Sequence, residues 1–182
     1  MLELALHILD IAENSTRAGA RNVRISVEED TPLDRFRLVV EDDGAGMSPE
    51  EAVKALDPFF TTKKVRRVGL GLPMLAQAAE TTGGGLKLQS EPGKGTRVRV
   101  EMGLTHIDRQ PLGDIPGALV ALIAGNPEIN IVYRHARDGS TYRLDTAELK
   151  KELEDVPINH IEVLQFIREH VSEGLEQIGS RA

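Results

Sequence analysis

Apolar residues Leu2, Ala5, Leu9 and Ala12 recur at three- and four-residue spacing, which predicts a helix over residues 2–17 that Gly19 stops. The period then drops to two. Val23, Ile25 and Val27 alternate with polar residues, as do Phe36, Leu38 and Val40, so two half-buried strands flank a turn around Pro32. Ser48 is placed to cap a short helix over about 49–55, with Glu50 and Glu51 suited to its dipole. Residues 57–69 show no periodicity. A helix over about 70–82 ends at Gly83-Gly84-Gly85, and strands over about 86–90 and 96–102 are joined by the turn Pro92-Gly93-Lys94-Gly95.

Past Leu104 the pattern changes. Pro111, Gly113, Pro116 and Gly117 mark a linker and the entry to a short apolar helix over about 117–124. Ile129–Ala136 and Thr141–Leu144 read as a hairpin around Arg137-Asp138-Gly139-Ser140, with Tyr133 and Tyr142 able to pair across it. Two helices follow, starting near Thr146 and His160. Asp145 with Glu148, and Asn159 with Glu162, have the spacing of capping boxes. His106, His135, His160 and His170 lack metal-ligand spacing and read as structural or surface residues.

Composition narrows the classes of function. The 182 residues hold 22 Lys and Arg against 29 Asp and Glu, a net charge of -7 that disfavours a nucleic-acid partner unless basic residues gather on one face. Without cysteine there are no disulfides, thiolate-held metals or Cys catalysis. No leader pattern and no apolar run of about 20 residues is present, so the expectation is a soluble, cytoplasmic protein with no membrane partner.

Three constellations carry candidate chemistry. Asp10 and Asn14, at i and i+4, share a helix face, where a carboxylate can orient a water and an amide oxygen can ligate a hard cation. The same spacing also suits a polar face in solvent. Asp42-Asp43-Gly44-Ala45-Gly46 ends a strand, and its glycines permit close backbone approach to a flat ligand while a carboxylate accepts from an exocyclic amine. An acidic turn explains it equally. Gly69-Leu70-Gly71-Leu72 opens a helix whose free N–H groups suit phosphates, after a basic run of Lys63, Lys64, Arg66 and Arg67. A tight turn after a solvated loop is the competing reading.

The order and spacing of these runs resemble the gyrase, chaperone, histidine kinase and mismatch-repair (GHKL) ATPases. Asp10-Ile11-Ala12-Glu13-Asn14-Ser15 with Ala18-Gly19-Ala20 resembles their N box, and Asp42-Asp43-Gly44-Ala45-Gly46-Met47 their G1 box. Asp57-Pro58-Phe59-Phe60-Thr61-Thr62-Lys63 is similar to the F box of nitrogen-regulator-type histidine kinases, and more loosely of anti-sigma-factor kinases. Gly69-Leu70-Gly71-Leu72 is similar to the G2 box, and Gly93-Lys94-Gly95-Thr96 to the turn before the last strand. The resemblance covers residues 1–104 and does not extend to 105–182.

The resemblance implies an α/β (α+β) two-layer sandwich of the Bergerat type, a mixed sheet covered on one face by helices, over residues 1–104. Residues 105–182 are expected to form a small α+β unit with a possible docking role. The ligands implied are ATP and Mg2+. Asn14 would ligate the metal, Asp42 would accept from the adenine amine, and Gly44, Gly46 and Met47 would line the base. Thr96 would fix the adenine end, and Gly69, Leu70, Gly71 and Leu72 would present the phosphate turn. Lys63 is a phosphate contact and Asp10 the candidate general base, while Phe59 and Phe60 anchor the lid. Asp10 stands where hydrolytic members carry Glu, one methylene longer. Only five residues separate Lys63 from Gly69, a lid far shorter than in sensor kinases, and Arg67-Val68 stand where such kinases often carry another glycine.

Because the boxes begin at the first helix and His7 lacks a phosphoacceptor context, the expected function is a histidine-kinase-like protein without its own sensor or phosphoacceptor. It would act on a protein partner as an ATP-dependent switch or as a Ser/Thr kinase. A nucleotide-gated binding module and a slow dimerisation-coupled ATPase are the alternatives.

Overall fold

The computed structural model describes residues 3–57 and 71–180. Helix α1 (Leu4–Arg17) leads into β1 (Asn22–Asp30) and β2 (Arg35–Asp42), then α2 (Pro49–Ala55) and α3 (Gly71–Thr81). Strands β3 (Gly85–Glu91) and β4 (Gly95–Gly103) precede α4 (Ile115–Gly125), β5 (Asn130–Arg137), β6 (Ser140–Asp145), α5 (Thr146–Glu152) and α6 (Ile161–Gln177).

The six strands form one mixed sheet in the order β3-β4-β2-β1-β5-β6, antiparallel except for the parallel pair β1 and β5. Period-two alternation decides which face is covered. Val23, Ile25 and Val27 of β1, Phe36, Leu38 and Val40 of β2, and Val98, Val100 and Met102 of β4 are buried. Of the residues between them, Arg24, Arg37, Arg99 and Glu101 carry charge on the opposite face. Helices α3, α1, α4 and α6 lie side by side over the buried face, giving the two-layer architecture expected. Burying a side chain such as Phe36 or Leu38 fully is worth about 1.5–3 kcal/mol, so this face supplies most of the driving force.

Helix α1 buries Ala5 and Ala12 of the expected stripe together with Leu4, His7, Ile8, Ile11 and Ser15, while Leu9 is only partly buried. Its N-cap, Glu3, makes no side-chain cap bond. Residues of the later linker take that role, the Leu4 and Ala5 N–H groups donating to Pro111 and Leu112 carbonyls at 2.9 and 2.8 Å.

The region expected as a separate α+β unit continues the same sheet and core. β5 runs alongside the otherwise open edge of β1, and α4 and α6 extend the helical layer. An unpaired β1 edge would present a row of free backbone groups, which β5 satisfies. The predicted capping boxes differ in detail. Ser48 and Glu51 form a complete box. Asp145 accepts from the Ala147 and Glu148 N–H groups, but the Glu148 side chain turns to Arg143. Asn159 caps nothing, because α6 starts one residue later with His160 as an N-cap that makes no side-chain bond. Tyr133 and Tyr142 meet diagonally, ring centroids 6.4 Å apart, since Tyr142 stands opposite His135 in the hairpin register.

Candidate functional site

At the end of β2 the buried face of the sheet turns polar. Asp42 pairs in register with Thr96 of β4, and Thr96 with Ser90 of β3, so alternation aims all three at the helices. Thr96 Oγ1 lies 2.9 Å from Ser90 Oγ, and Ser90 Oγ accepts from the Met47 N–H at 2.8 Å. From above, the buried Ser15 hydroxyl of α1 donates to Asp42 Oδ2 at 2.6 Å, and the Gly44 N–H donates to Oδ1 at 2.9 Å.

The neighbouring Asp43 is engaged elsewhere. It accepts from the Arg21 and Asn22 backbone N–H groups at 2.8 Å and from Asn22 Nδ2 at 2.6 Å. The Asn22 side chain above all holds its carboxyl below the usual range. Two consecutive acids that composition cannot distinguish therefore differ in role: Asp43 ties the turn to β1, and Asp42 faces the helices.

Glycine is required at two positions here. Gly46, at φ +66°, would drive a Cβ into the Glu91 carbonyl, and Gly95, at φ +92°, into that of Asp42. The Ala45 N–H donates to Ala18 at 2.9 Å and the Gly93 N–H to Ala45 at 2.7 Å, so three turns lock together around the strand end.

Further along α1, Asp10 and Asn14 are both partly exposed. Gly71, the first residue of α3, abuts the Asp10 carboxylate so closely that a Cβ would overlap it. Asn14 Oδ1 accepts from Arg17 Nη1 at 2.9 Å, and Arg17 also bridges to Glu13 at 2.8 Å. Leu72 packs against the core. Beneath Asp10, His7 is buried, with Nε2 3.0 Å from Gln110 Oε1 and Nδ1 without a partner among the described residues. Burial holds its pKa below the ordinary value. Lys63, Gly69 and Leu70, with Phe59, Phe60, Lys64, Arg66, Arg67 and Val68, lie outside the described residues.

The structure thus brings Asp10 to Gly71, and Asp42 to Gly44, Gly46, Met47 and Thr96, along one side of α1. Ser15 stood in a recognised box without a role, and Ser90 was not singled out. Ser90 was within reach of the strand pattern, since pairing β3 with β4 places it opposite Thr96. Of the histidines read as structural or surface residues, two make structural contacts: His135 Nε2 lies 2.7 Å from Glu29 Oε1, and His170 Nδ1 lies 2.7 Å from the Tyr142 hydroxyl.

A family model for histidine kinase-, DNA gyrase B- and HSP90-like ATPases matches residues 2–106. The chain belongs to this family. Among similar proteins, it is 36% identical over 89 residues to the sensor histidine kinase ZraS of Salmonella typhimurium, covering 48% of this chain and 19% of that protein. It is 38% identical over 89 residues to the sensor protein kinase FleS of Pseudomonas aeruginosa, covering 49% and 22%. The chain therefore spans about a fifth of the length of these relatives. The fold is similar to the Aquifex aeolicus MutL ATPase domain complexed with ADP, with TM-score 0.51, 17% identity, and coverage of 85% of this chain and 68% of that one. It is likewise similar to the N-terminal domain of a DNA repair protein, with TM-score 0.52, 16% identity, and coverage of 96% and 59%. Both likenesses cover more of this chain than the residues 2–106 that the family model matches. No helix among the described residues is long and apolar enough to cross a membrane.

Proposed function

We propose that this chain binds Mg-ATP between α1 and the end of the β3-β4-β2-β1 sheet, and acts on a protein partner as a nucleotide-dependent switch or a Ser/Thr kinase. The observation that carries the reading is the polar row Ser90, Thr96 and Asp42, next to Leu88, Val98 and Val40 on the helix-covered sheet face, with the Ser15 hydroxyl fixing Asp42. A carboxylate held this way accepts from an exocyclic amine, and Thr96 with Ser90 holds the other edge of a purine. Gly46 and Gly95 let the neighbouring turns close directly on the Glu91 and Asp42 carbonyls, which fixes the backbone beside the Asp42 carboxylate.

The triphosphate would run along α1 toward Gly71, where the opening turn of α3 offers N–H groups, with Gly69, Leu70 and Lys63 preceding it in the chain. Asp10 is the candidate base for a water or hydroxyl there. Among the described residues no group of three His, Asp or Glu is placed to hold a metal. Asn14 would hold Mg2+ from the protein side through Oδ1, the atom that accepts from Arg17 here, and waters and phosphate oxygens would complete the shell. When bound, the metal neutralises phosphate charge. The alternation of one ADP-complexed fold relative and several sensor kinases supports nucleotide binding in this cleft.

The test is calorimetric titration of ATP, with and without Mg2+, into the wild-type chain and Asp42→Asn. Binding in the micromolar range is expected, weakened about ten- to hundredfold by the substitution, since a charged acceptor is worth about 1.5–3 kcal/mol. Failure of the wild-type chain to bind, or equal binding by the variant, overturns the reading. γ-Labelled ATP offered with co-purifying proteins separates kinase from switch: transferred label marks a kinase, and nucleotide-dependent co-purification without label marks a switch.

A further inference from the structure

The face of the sheet turned away from the helices carries one transverse row with a marked charge pattern. From edge to edge it reads Lys87, Arg99, Val39, Ser26, Arg134 and Arg143. Four of these six residues are cations and none is acidic, in a chain whose acids exceed its bases by 29 to 22. At each end two cations stand directly opposite each other, Lys87 against Arg99 and Arg134 against Arg143. Like charges in direct cross-strand register are destabilising, so the isolated sheet carries a cost there.

Partners within the fold remove only part of that cost. Arg99 pairs with Glu101 and Arg143 with Asp145 and Glu148. Lys87 makes no ion pair among the described residues, and Arg134 has only a 3.4 Å contact to Thr141 Oγ1. Both are exposed. The adjacent row adds Arg24 and Arg97 on either side of Glu41. Between the cationic ends, the short side chains of Val39 and Ser26 leave a low, partly apolar floor. At the strand spacing of about 4.8 Å, the row spans roughly 24 Å.

We propose that this open face docks an acidic segment of a protein partner, lying across the strands with carboxylates over both ends and a small apolar residue over Val39. Such a segment relieves both like-charge pairs at once, and roughly 24 Å is the length of a helix of about 16 residues. A continuous phosphate backbone fits less well. It must pass Glu28, Glu41 and Glu101 in the flanking rows, whereas a protein segment can leave those places neutral or basic. The surface lies on the opposite side of the sheet from Asp42, so the inference stands independently of the nucleotide reading.

The experiment measures fluorescence anisotropy of two labelled probes with the full chain at 50 and 200 mM salt. One is a 16-residue helical peptide with glutamates clustered at both ends and alanines between; the other is a single-stranded oligothymidine of equal charge. The peptide is expected to bind more tightly than the oligonucleotide, and more weakly at the higher salt. Lys87→Glu with Arg134→Glu should weaken it at least tenfold, while Lys151→Glu with Arg168→Glu, the same charge change elsewhere, should alter it less than threefold. Lys87→Gln with Arg134→Gln should melt no lower than wild type yet bind the peptide at least fivefold more weakly. Absence of peptide binding, tighter binding of the oligonucleotide, or equal losses in the two glutamate variants would each overturn the proposal.

Discussion

The Ser15 hydroxyl donates to Asp42 Oδ2 at 2.6 Å, joining the last turn of the first helix to the end of the second strand across 27 residues of sequence. Ser15 is buried and stands one position past the partly exposed Asn14, so the same turn of α1 carries the hydroxyl that orients Asp42 and, about 100° round the helix axis, the proposed cation ligand. Without its donor, Asp42 would keep only the Gly44 N–H and be free to rotate.

Ser15→Ala is therefore expected to weaken ATP binding about tenfold, equivalent to 1.4 kcal/mol, while leaving far-UV circular dichroism unchanged. Ser15→Thr, which keeps the hydroxyl, should retain most of the affinity. Calorimetry on the two variants checks this, and equal affinities for both would show that the hydroxyl does not orient Asp42.

Glycines at the strand end separate two kinds of cost. Gly46 and Gly93 both have positive φ, but only at Gly46 would a Cβ meet a backbone carbonyl; at Gly93 there is open space. Gly93→Ala should cost about 1 kcal/mol from backbone conformation alone. Gly46→Ala adds overlap with Glu91 and should cost about 3 kcal/mol or more. Denaturant midpoints of the two variants measured side by side give the comparison, with the larger loss expected at Gly46.

These residues also mark what the sequence could carry. Alternation in Val23–Val27 and Phe36–Val40 is local, so strands, covered face and the Asp42 position could all be read from it. Asp42 and Asp43 are told apart by distant partners, Asp42 by Ser15, 27 residues away, and Asp43 by Arg21 and Asn22, 22 and 21 residues away, which reach it through the strand pairing. The parallel register of β1 with β5 joins Val23 to Ile131 and leaves no local trace, which is why residues 105–182 read as a separate unit. His135 was placed correctly in a strand, yet its partner Glu29 is 106 positions away and its burial could not be foreseen. Burial, which alone would raise the Glu29 carboxyl, is outweighed by hydrogen bonds from His135 and Ser180 and by the His135 and Arg137 charges, leaving it below its ordinary value.

Gly71 and Asp10 should prove energetically coupled. A methyl group at Gly71 overlaps the Asp10 carboxylate, a flexible side chain that must move or strain the start of α3. Gly71→Ala is expected to cost about 1–3 kcal/mol by overpacking. In an Asp10→Ala background the clash partner is gone, and the same substitution should cost less than half as much. A double-mutant cycle from urea unfolding measures the coupling; additive losses would place the strain of Gly71→Ala elsewhere.

Acid should act on the fold through His7 before it acts through Glu29. Burial lowers the His7 pKa from 6.5, so the unfolded chain takes up a proton at a pH where the folded chain resists it. The stability tied to neutral His7 is therefore complete above pH 6.5 and declines as the pH falls from there toward the folded value, by up to about 1.4 kcal/mol per pH unit. Glu29, depressed from 4.5, contributes stability that is present above that pH and lost only below it. Between pH 7.5 and 5.5 the unfolding midpoint of the wild-type chain should fall, and His7→Gln, which keeps a polar group near Gln110 without a titrating ring, should flatten that slope. An unchanged slope in the variant would assign the acid sensitivity to another group.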